Sequence, residues 1–337
     1  MGTKRPLGRA ALTFLVVAVG SLLFVGVPAA FALLDFSTSQ AACGAGAAGI
    51  AVGDLNGDRR LDIVTANSTS NTVSVLLGRG KGTFRAQRRY ATGTKPIAVA
   101  VADLDRDGRA DVITANALAG TVSVLLARRD GSLRPARAFA AGKRPAALAV
   151  ADVDRDGRRD LVVANSGTDT VSILLGHGDG TFSRRTQLAA GDEPRSVVVK
   201  DFNGDGRPDI AVADYAAEAV SVLLGRAGGF RKAVVYPVST EWPGLKPTSL
   251  AAGDLNGDGH PDLVIANGYL SCTSTLIGDG HGTFAPGPTA AWEDVVAATL
   301  ADVTGDGALD VVTTSHMSAT ISAIPGTGSG RFCLPQR

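Results

Sequence analysis

The sequence predicts an all-β chain folded as a six-bladed β-propeller of four-stranded antiparallel blades. Three observations carry that expectation. A nine-residue acidic loop recurs six times, starting at Asp54, Asp103, Asp152, Asp201, Asp254 and Asp302, at intervals of 49, 49, 49, 53 and 48 residues. Intervals of that size are the length of one supersecondary repeat. Between the loops run short apolar stretches and glycine-rich turns, and no stretch after residue 34 has a helical period.

The second repeat shows the contents of a unit. Residues 97–102, before Asp103, form an apolar strand of Ile, Ala and Val, small side chains that suit the narrow axis of a propeller. The acidic loop follows, and residues 111–116 are a second strand ending in a turn-forming Asn116. Residues 121–126 are a third strand, and a weaker fourth is expected from Leu133 to Ala140. Glycine-rich turns such as 78–84 and 278–284 join the third strand to the fourth, where glycine admits positive φ without steric cost. Pro96, Pro145, Pro194 and Pro247 recur seven residues ahead of their loops, as rigid entries to the next blade.

The residue after the glycine turn gives a second ruler: Phe84, Leu133, Phe182, Phe230, Phe284 and Phe332, with Phe36 continuing it backwards. The stretch from Phe36 to Cys43 is therefore expected to complete the last blade, whose own fourth strand is cut to Phe332–Arg337. Such closure leaves no long exposed edge.

Composition narrows the class. Of 337 residues 45% are hydrophobic but only 5% aromatic, and 42 are glycine, which suits many small, similar strands. A net charge of +1, with no basic block longer than a pair, argues against a nucleic-acid partner. Twenty of the 32 Asp and Glu residues lie in the six loops. Cys43, Cys272 and Cys333 lack CxxC spacing and allow one disulfide with one free thiol, in a pairing that sequence leaves open. The pattern Gly44–Gly49 fits GxGxxG, but a strand follows it in place of the helix a dinucleotide site needs.

Residues 1–32 read as an export signal: Lys4, Arg5 and Arg9, an apolar run from Ala10 to Val27, and small residues at Ala30-Phe31-Ala32. The other reading is an uncleaved anchor, since the run extended to Leu34 approaches spanning length. Cleavage removes three positive charges and takes the net charge from +1 to −2. Both readings place residues 33–337, the propeller, outside the cytoplasm, as a secreted or periplasmic chain expected to be a monomer with no further membrane contact.

The loops themselves suggest a hard cation. Oxygen-bearing side chains fall at the first, third, fifth and ninth positions. These are Asp54, Asn56, Asp58 and Asp62; Asp103, Asp105, Asp107 and Asp111; Asp152, Asp154, Asp156 and Asp160; Asp201, Asn203, Asp205 and Asp209; Asp254, Asn256, Asp258 and Asp262; and Asp302, Thr304, Asp306 and Asp310. Calcium takes six to eight oxygens at about 2.3–2.6 Å, and a main-chain carbonyl near the seventh position would complete the cage. The competing reading is a set of Asx turns that cap strands without metal. Several carboxylates in so short a loop repel unless a cation sits among them. The two four-Asp loops are expected to bind tightest. Arg59, where the other loops have glycine, and Thr304 weaken the first and last. The twelfth position is Thr65 or Thr114 where an EF-hand needs Glu, so that motif is rejected.

On these motifs the chain resembles the FG-GAP, or VCBS, repeat family, the blades of the integrin α-subunit propeller, over residues 36–337. The resemblance implies calcium between the first and second strands of each blade, and adhesion or ligand binding more often than catalysis.

No G-x-S-x-G elbow is present and the four histidines are dispersed, so no local motif points to an enzyme. The face opposite the acidic loops is the better place for recognition. Trp242, Tyr215, Tyr269 and Trp292 map to its loops and suit stacking on a glycan or anchoring a protein. The alternative is that these rings fill gaps between blades. A secreted binding or adhesion module for glycan or protein is the leading expectation. A polysaccharide hydrolase or lyase assembled from propeller loops, and a purely structural surface module, are the others.

Overall fold

The computed structural model describes residues 45–183, 186–240, 243–268, 272–291, 295–315, 321–326 and 328. Residues 1–32, Phe36 to Cys43, Phe332 to Arg337, Cys43 and Cys333 therefore lie outside the described residues, as do Trp242, Tyr269 and Trp292. Among the described residues there is no helix, and hence none long and apolar enough to cross a membrane.

Six antiparallel sheets follow one another along the chain, five in the order inner, second, third, outer and the sixth with its first three strands among the described residues. Blade one comprises Ala47–Gly53, Asp62–Asn67, Thr72–Leu76 and Arg88–Ala91. Blade two comprises Pro96–Ala102, Asp111–Asn116, Thr121–Leu125 and Arg137–Ala140. Blade three comprises Pro145–Ala151, Asp160–Asn165, Thr170–Leu174 and Thr186–Ala189. Blade four comprises Pro194–Lys200, Asp209–Asp214, Ala219–Leu223 and Val234–Pro237. Blade five comprises Pro247–Gly253, Asp262–Asn267, Cys272–Gly278 and Phe284–Ala291. Blade six shows Val295–Ala301, Asp310–Ser315 and Ile321–Ile324 among the described residues. The expected six-bladed, all-β propeller is what forms.

The proline entries sit inside the first strand. In every blade the pairing of inner and second strands shifts by one residue just after the first residue of the inner strand, at Pro96/Ala98, Pro145/Ala147, Pro194/Ser196 and Pro247/Ser249. Proline lacks the N–H that a ladder would use, so a strand start beside a bulge tolerates it. Blades one and six make the same shift without proline.

The expected fourth strand from Leu133 to Ala140 is shorter. Arg137–Ala140 pairs with the third strand, while Leu133 instead bridges back to Ala127. The outer strands of blades one, three and four begin at the same offset after Phe84, Phe182 and Phe230 with no proline at the position of Pro135, so the break belongs to the repeat itself. In blades one and four the same segment forms a two-rung hairpin, Gly78–Gly80 with Thr83–Phe84 and Gly225–Arg226 with Gly229–Phe230.

The cores lie between blades. Leu104, Ile113, Leu126 and Phe182 join blades two and three, and Phe202, Leu250, Leu263 and Phe284 join blades four and five. Second strands such as Asp111–Asn116 are buried along their whole length, which is why they read as continuous apolar runs. Each buried Leu or Ile contributes about 1.5–3 kcal/mol. The residue after the glycine turn reaches back into the preceding blade: Phe182 meets Phe139 edge-on at 5.3 Å, and Phe284 meets Phe202 and Tyr236 at 5.5 Å. Cys272 is buried with a free thiol, which burial pushes up.

Candidate metal centre

Each acidic loop turns sharply twice. Backbone φ is positive at its fourth and sixth positions, from Gly57 (74°) and Arg59 (64°) in the first loop to Gly305 (77°) and Gly307 (89°) in the last. Those two turns aim amide hydrogens at the leading aspartate. Gly57 N donates to Asp54 Oδ1 at 2.7 Å and Arg59 N to Asp54 Oδ2 at 2.6 Å. The sixth-position amide makes the same bond to Asp103, Asp152, Asp201, Asp254 and Asp302 at 2.7–3.0 Å. The fifth aspartate is held likewise, with the seventh-position amide donating to Asp58, Asp107, Asp156, Asp205, Asp258 and Asp306. The bond to the fifth aspartate, from the amide two residues on, is that of an Asx turn and is present in all six copies.

The ninth aspartate does something different. It is fully buried in every blade. Asp62 Oδ2 accepts from Leu55 N at 2.9 Å, and Oδ1 accepts from Gly78 N at 2.8 Å. The same pair of bonds recurs at Asp111, Asp160, Asp209, Asp262 and Asp310, always to the second loop position and to the residue sixteen further on. This carboxylate clamps the acidic loop to the glycine turn of its own blade. Burial is the larger effect on it and raises Asp62, Asp209 and Asp262, with Asp111 reaching about 7 and Asp160 about 6. The two amide bonds offset part of that rise.

The third position, Asn in three loops, Asp in two and Thr304 in the last, separates the first five into two kinds. Where it is Asn, the amide donates to the fifth carboxylate: Asn56 to Asp58 and Asn203 to Asp205 at 3.2 Å, and Asn256 to Asp258 at 2.8 Å. Where it is Asp, no such bond is available. Asp105 Oδ1 is buried without a hydrogen-bond partner, and burial followed by the Asp107 charge pushes its carboxyl up. Oxygens of Asp103, Asp105 and Asp111 converge within 4.8 Å of one another, as do those of Asp152, Asp154 and Asp156. An oxygen-only donor set with an unpartnered buried oxygen fits a hard cation. Arg109 and Arg158 reach the fifth aspartates of these loops, Asp107 and Asp156, as Arg207 reaches Asp205.

Arg59 is not the lone departure from glycine. Arg106 (62°) and Arg155 (66°) occupy the left-handed fourth position of the two four-Asp loops. Thr304 turns its amide to Asp310 Oδ2 at 2.9 Å.

Of the four aromatic candidates, the described one is Tyr215, between the second and third strands of blade four, at the end of the strands away from the acidic loops. It is half-buried. The Arg195 guanidinium lies 4.5 Å over its ring and Lys246 at 5.8 Å, with Arg195 paired to Glu193 and Lys246 to Glu218. Behind it sits a residue that sequence reading passed over. Asp214 ends the second strand where blades one, two, three and five have Asn67, Asn116, Asn165 and Asn267. Those asparagines donate to hydroxyls of the third strand, such as Asn116 to Thr121 and Ser123. Blade four has Ala219 in place of the threonine, and neither oxygen of fully buried Asp214 has a hydrogen-bond partner. Burial pushes it up to about 7, moderated by Ser221 and the Gly191 amide alongside. Aligning the repeats at this column would have exposed it.

Solved structures share the architecture. A protein from Lactobacillus plantarum matches with a TM-score of 0.67 and 20% identity over 89% of this chain and 86% of its own. An Agrocybe aegerita lectin, described as recognising non-reducing terminal N-acetylglucosamine, matches at 0.59 and 22% over 84% and 78%. Hydrazine synthase of Kuenenia stuttgartiensis matches at 0.58 and 13% over 82% and 83%. At such identities the likeness is one of fold. No curated protein matches in sequence. The FG-GAP-like repeat, in contrast, matches four overlapping stretches, 54–114, 107–163, 152–212 and 201–265. Each begins in an acidic loop and runs into the second strand of the next blade, so on both repeat and fold the chain belongs to the FG-GAP-like repeat family.

Proposed function

We propose that the chain is an exported, calcium-stabilised binding module whose metal loops stiffen the blades and whose ligand, a glycan or a protein surface, docks on the opposite face. The observation that carries the calcium reading is the convergence of Asp103, Asp105 and Asp111, with a buried Asp105 oxygen left without a partner. Backbone amides preset the leading and fifth carboxylates, so a cation entering such a loop would find oxygens already oriented. Export rests on the signal-like residues 1–32 and the extracellular supply of calcium. Binding over catalysis is supported by the Tyr215 cluster, where an aromatic ring with two cations against it offers a mixed apolar and charged contact for a ligand.

Thermal melting of the full chain in calcium and in excess chelator tests the metal. Melting is expected to fall sharply in chelator, because a ligand that binds only the folded state stabilises it by mass action. Identical melting curves would end the calcium reading. Glycan and protein arrays with wild type and Tyr215→Ala test the docking face. A hit lost on substitution supports it, and turnover of a polysaccharide would replace it with a lyase or hydrolase.

A further inference from the structure

Basic residues that look scattered along the sequence are gathered by the fold onto one stretch of the outer rim. In blade one, residues 78–91, the glycine hairpin and outer strand, contain five Arg or Lys and no acid. In blade two the matching residues 127–140 contain four Arg and one acid, Asp130. All nine basic residues are exposed. The two stretches lie side by side: a Cβ on Gly131 would come within 2.6 Å of Leu77 Cδ1. Asp130 is held below the usual carboxylate range first by Ser132 and further by Arg88 from the neighbouring blade. The one acid is thus already engaged. Arg128 is committed locally, donating to the Leu133 carbonyl at 3.0 Å.

We propose that the rim of blades one and two binds a linear anionic polysaccharide. Arginine outnumbers lysine eight to one across these stretches, and its planar fork pairs in bidentate fashion with carboxylate and sulfate groups. Protecting an exposed edge strand is the simpler role for such charges, but it needs only one or two. Blade five shows this: its outer strand Phe284–Ala291 has no charged residue and uses Pro286 and Pro288. Nine like charges against one acid instead build a single-sign field that attracts a polyanion. Adjacent blades of a six-bladed ring diverge by about 60°, so this rim is convex. A flexible chain can follow it across both blades, whereas a planar bilayer meets it along a line. Among the described residues the large exposed hydrophobic side chains, such as Leu118, Val234 and Val235, lie outside both stretches, so nothing there inserts into lipid.

The test uses the full chain with heparin and polygalacturonate as sulfated and carboxylated probes, and duplex DNA and anionic phospholipid vesicles as alternatives. Wild type is expected to bind at least one polysaccharide, with affinity falling as salt rises. The double variant Arg88→Glu/Arg137→Glu should lose tenfold or more at unchanged melting temperature. Lys95→Glu/Lys143→Glu, exposed on the loop face away from the metal loops and equal in net charge, should lose less than twofold. No polysaccharide binding at low salt, equal losses in the two variants, or equal affinity for DNA or vesicles would each overturn the proposal. This site is independent of the Tyr215 face, so Tyr215→Ala should leave it intact.

Discussion

Arg106 Nη2 donates to the carbonyl oxygen of Gly157 at 2.8 Å, so a side chain of one acidic loop closes on the backbone of the next. Arg106 holds a left-handed φ of 62° to do so. Arg59 is as strained, at 64°, but makes no such inter-loop bond among the described residues. Arg59→Gly should therefore raise stability by about 1 kcal/mol. Arg106→Gly should gain little, because the same relief is offset by a lost hydrogen bond worth about 1 kcal/mol. Urea midpoints of the two variants, measured in chelator, check the difference.

The ninth-position clamp should matter with or without metal. Asp160→Ala leaves the half-buried amide of Val153 and the buried amide of Gly176 unpaired. The expected cost is about 3 kcal/mol in chelator, since each orphaned donor costs about 1–3 kcal/mol. Equilibrium unfolding reads it directly.

Asp105→Asn should separate stability from metal affinity. It copies Asn56, Asn203 and Asn256, whose amides donate to the fifth carboxylate. The variant should melt higher than wild type in chelator and gain less on adding calcium, because one charge has left the donor set. Paired melts at zero and saturating calcium decide this.

Asp214 supplies a pH signature. Its folded value of about 7 lies above the ordinary 3.8, so the folded state holds the extra proton between them. Its contribution to stability is intact below the lower value and is lost as pH rises through the upper one. Asp214→Asn removes that loss and restores the residue found in four other blades. The gain over wild type should be small near about pH 4 and largest at about pH 8, where a rise from 3.8 to about 7 corresponds to an upper bound of about 4 kcal/mol. A gain independent of pH would show that burial of Asp214 is not what limits wild type.

Blade number, strand order and the acidic loops were legible because each rests on spacing within one repeat. The outer strand was misjudged at Leu133–Ala140 because Leu133 bridges back across the turn to Ala127, a pairing within the turn that leaves only Arg137–Ala140 to meet the third strand. The clamp at the ninth aspartate was missed because its second partner is sixteen residues away, across two strands. The rim charge was missed for a similar reason: Arg88 and the 127–140 stretch that carries Asp130 are distant in sequence and come together only when blades stack. Asp214 escaped notice because its environment depends on Ala219, an unremarkable residue until set beside Thr72, Thr121 and Thr170.

The one-residue bulge shared by all six inner strands has an evolutionary consequence. The first four loops are spaced 49 residues apart and enter identical registers. Unequal crossing-over between any two of them rejoins strands in phase, and every clamp regains its amide partners. The gene can therefore lengthen or shorten in whole-blade steps without passing through a frustrated sheet.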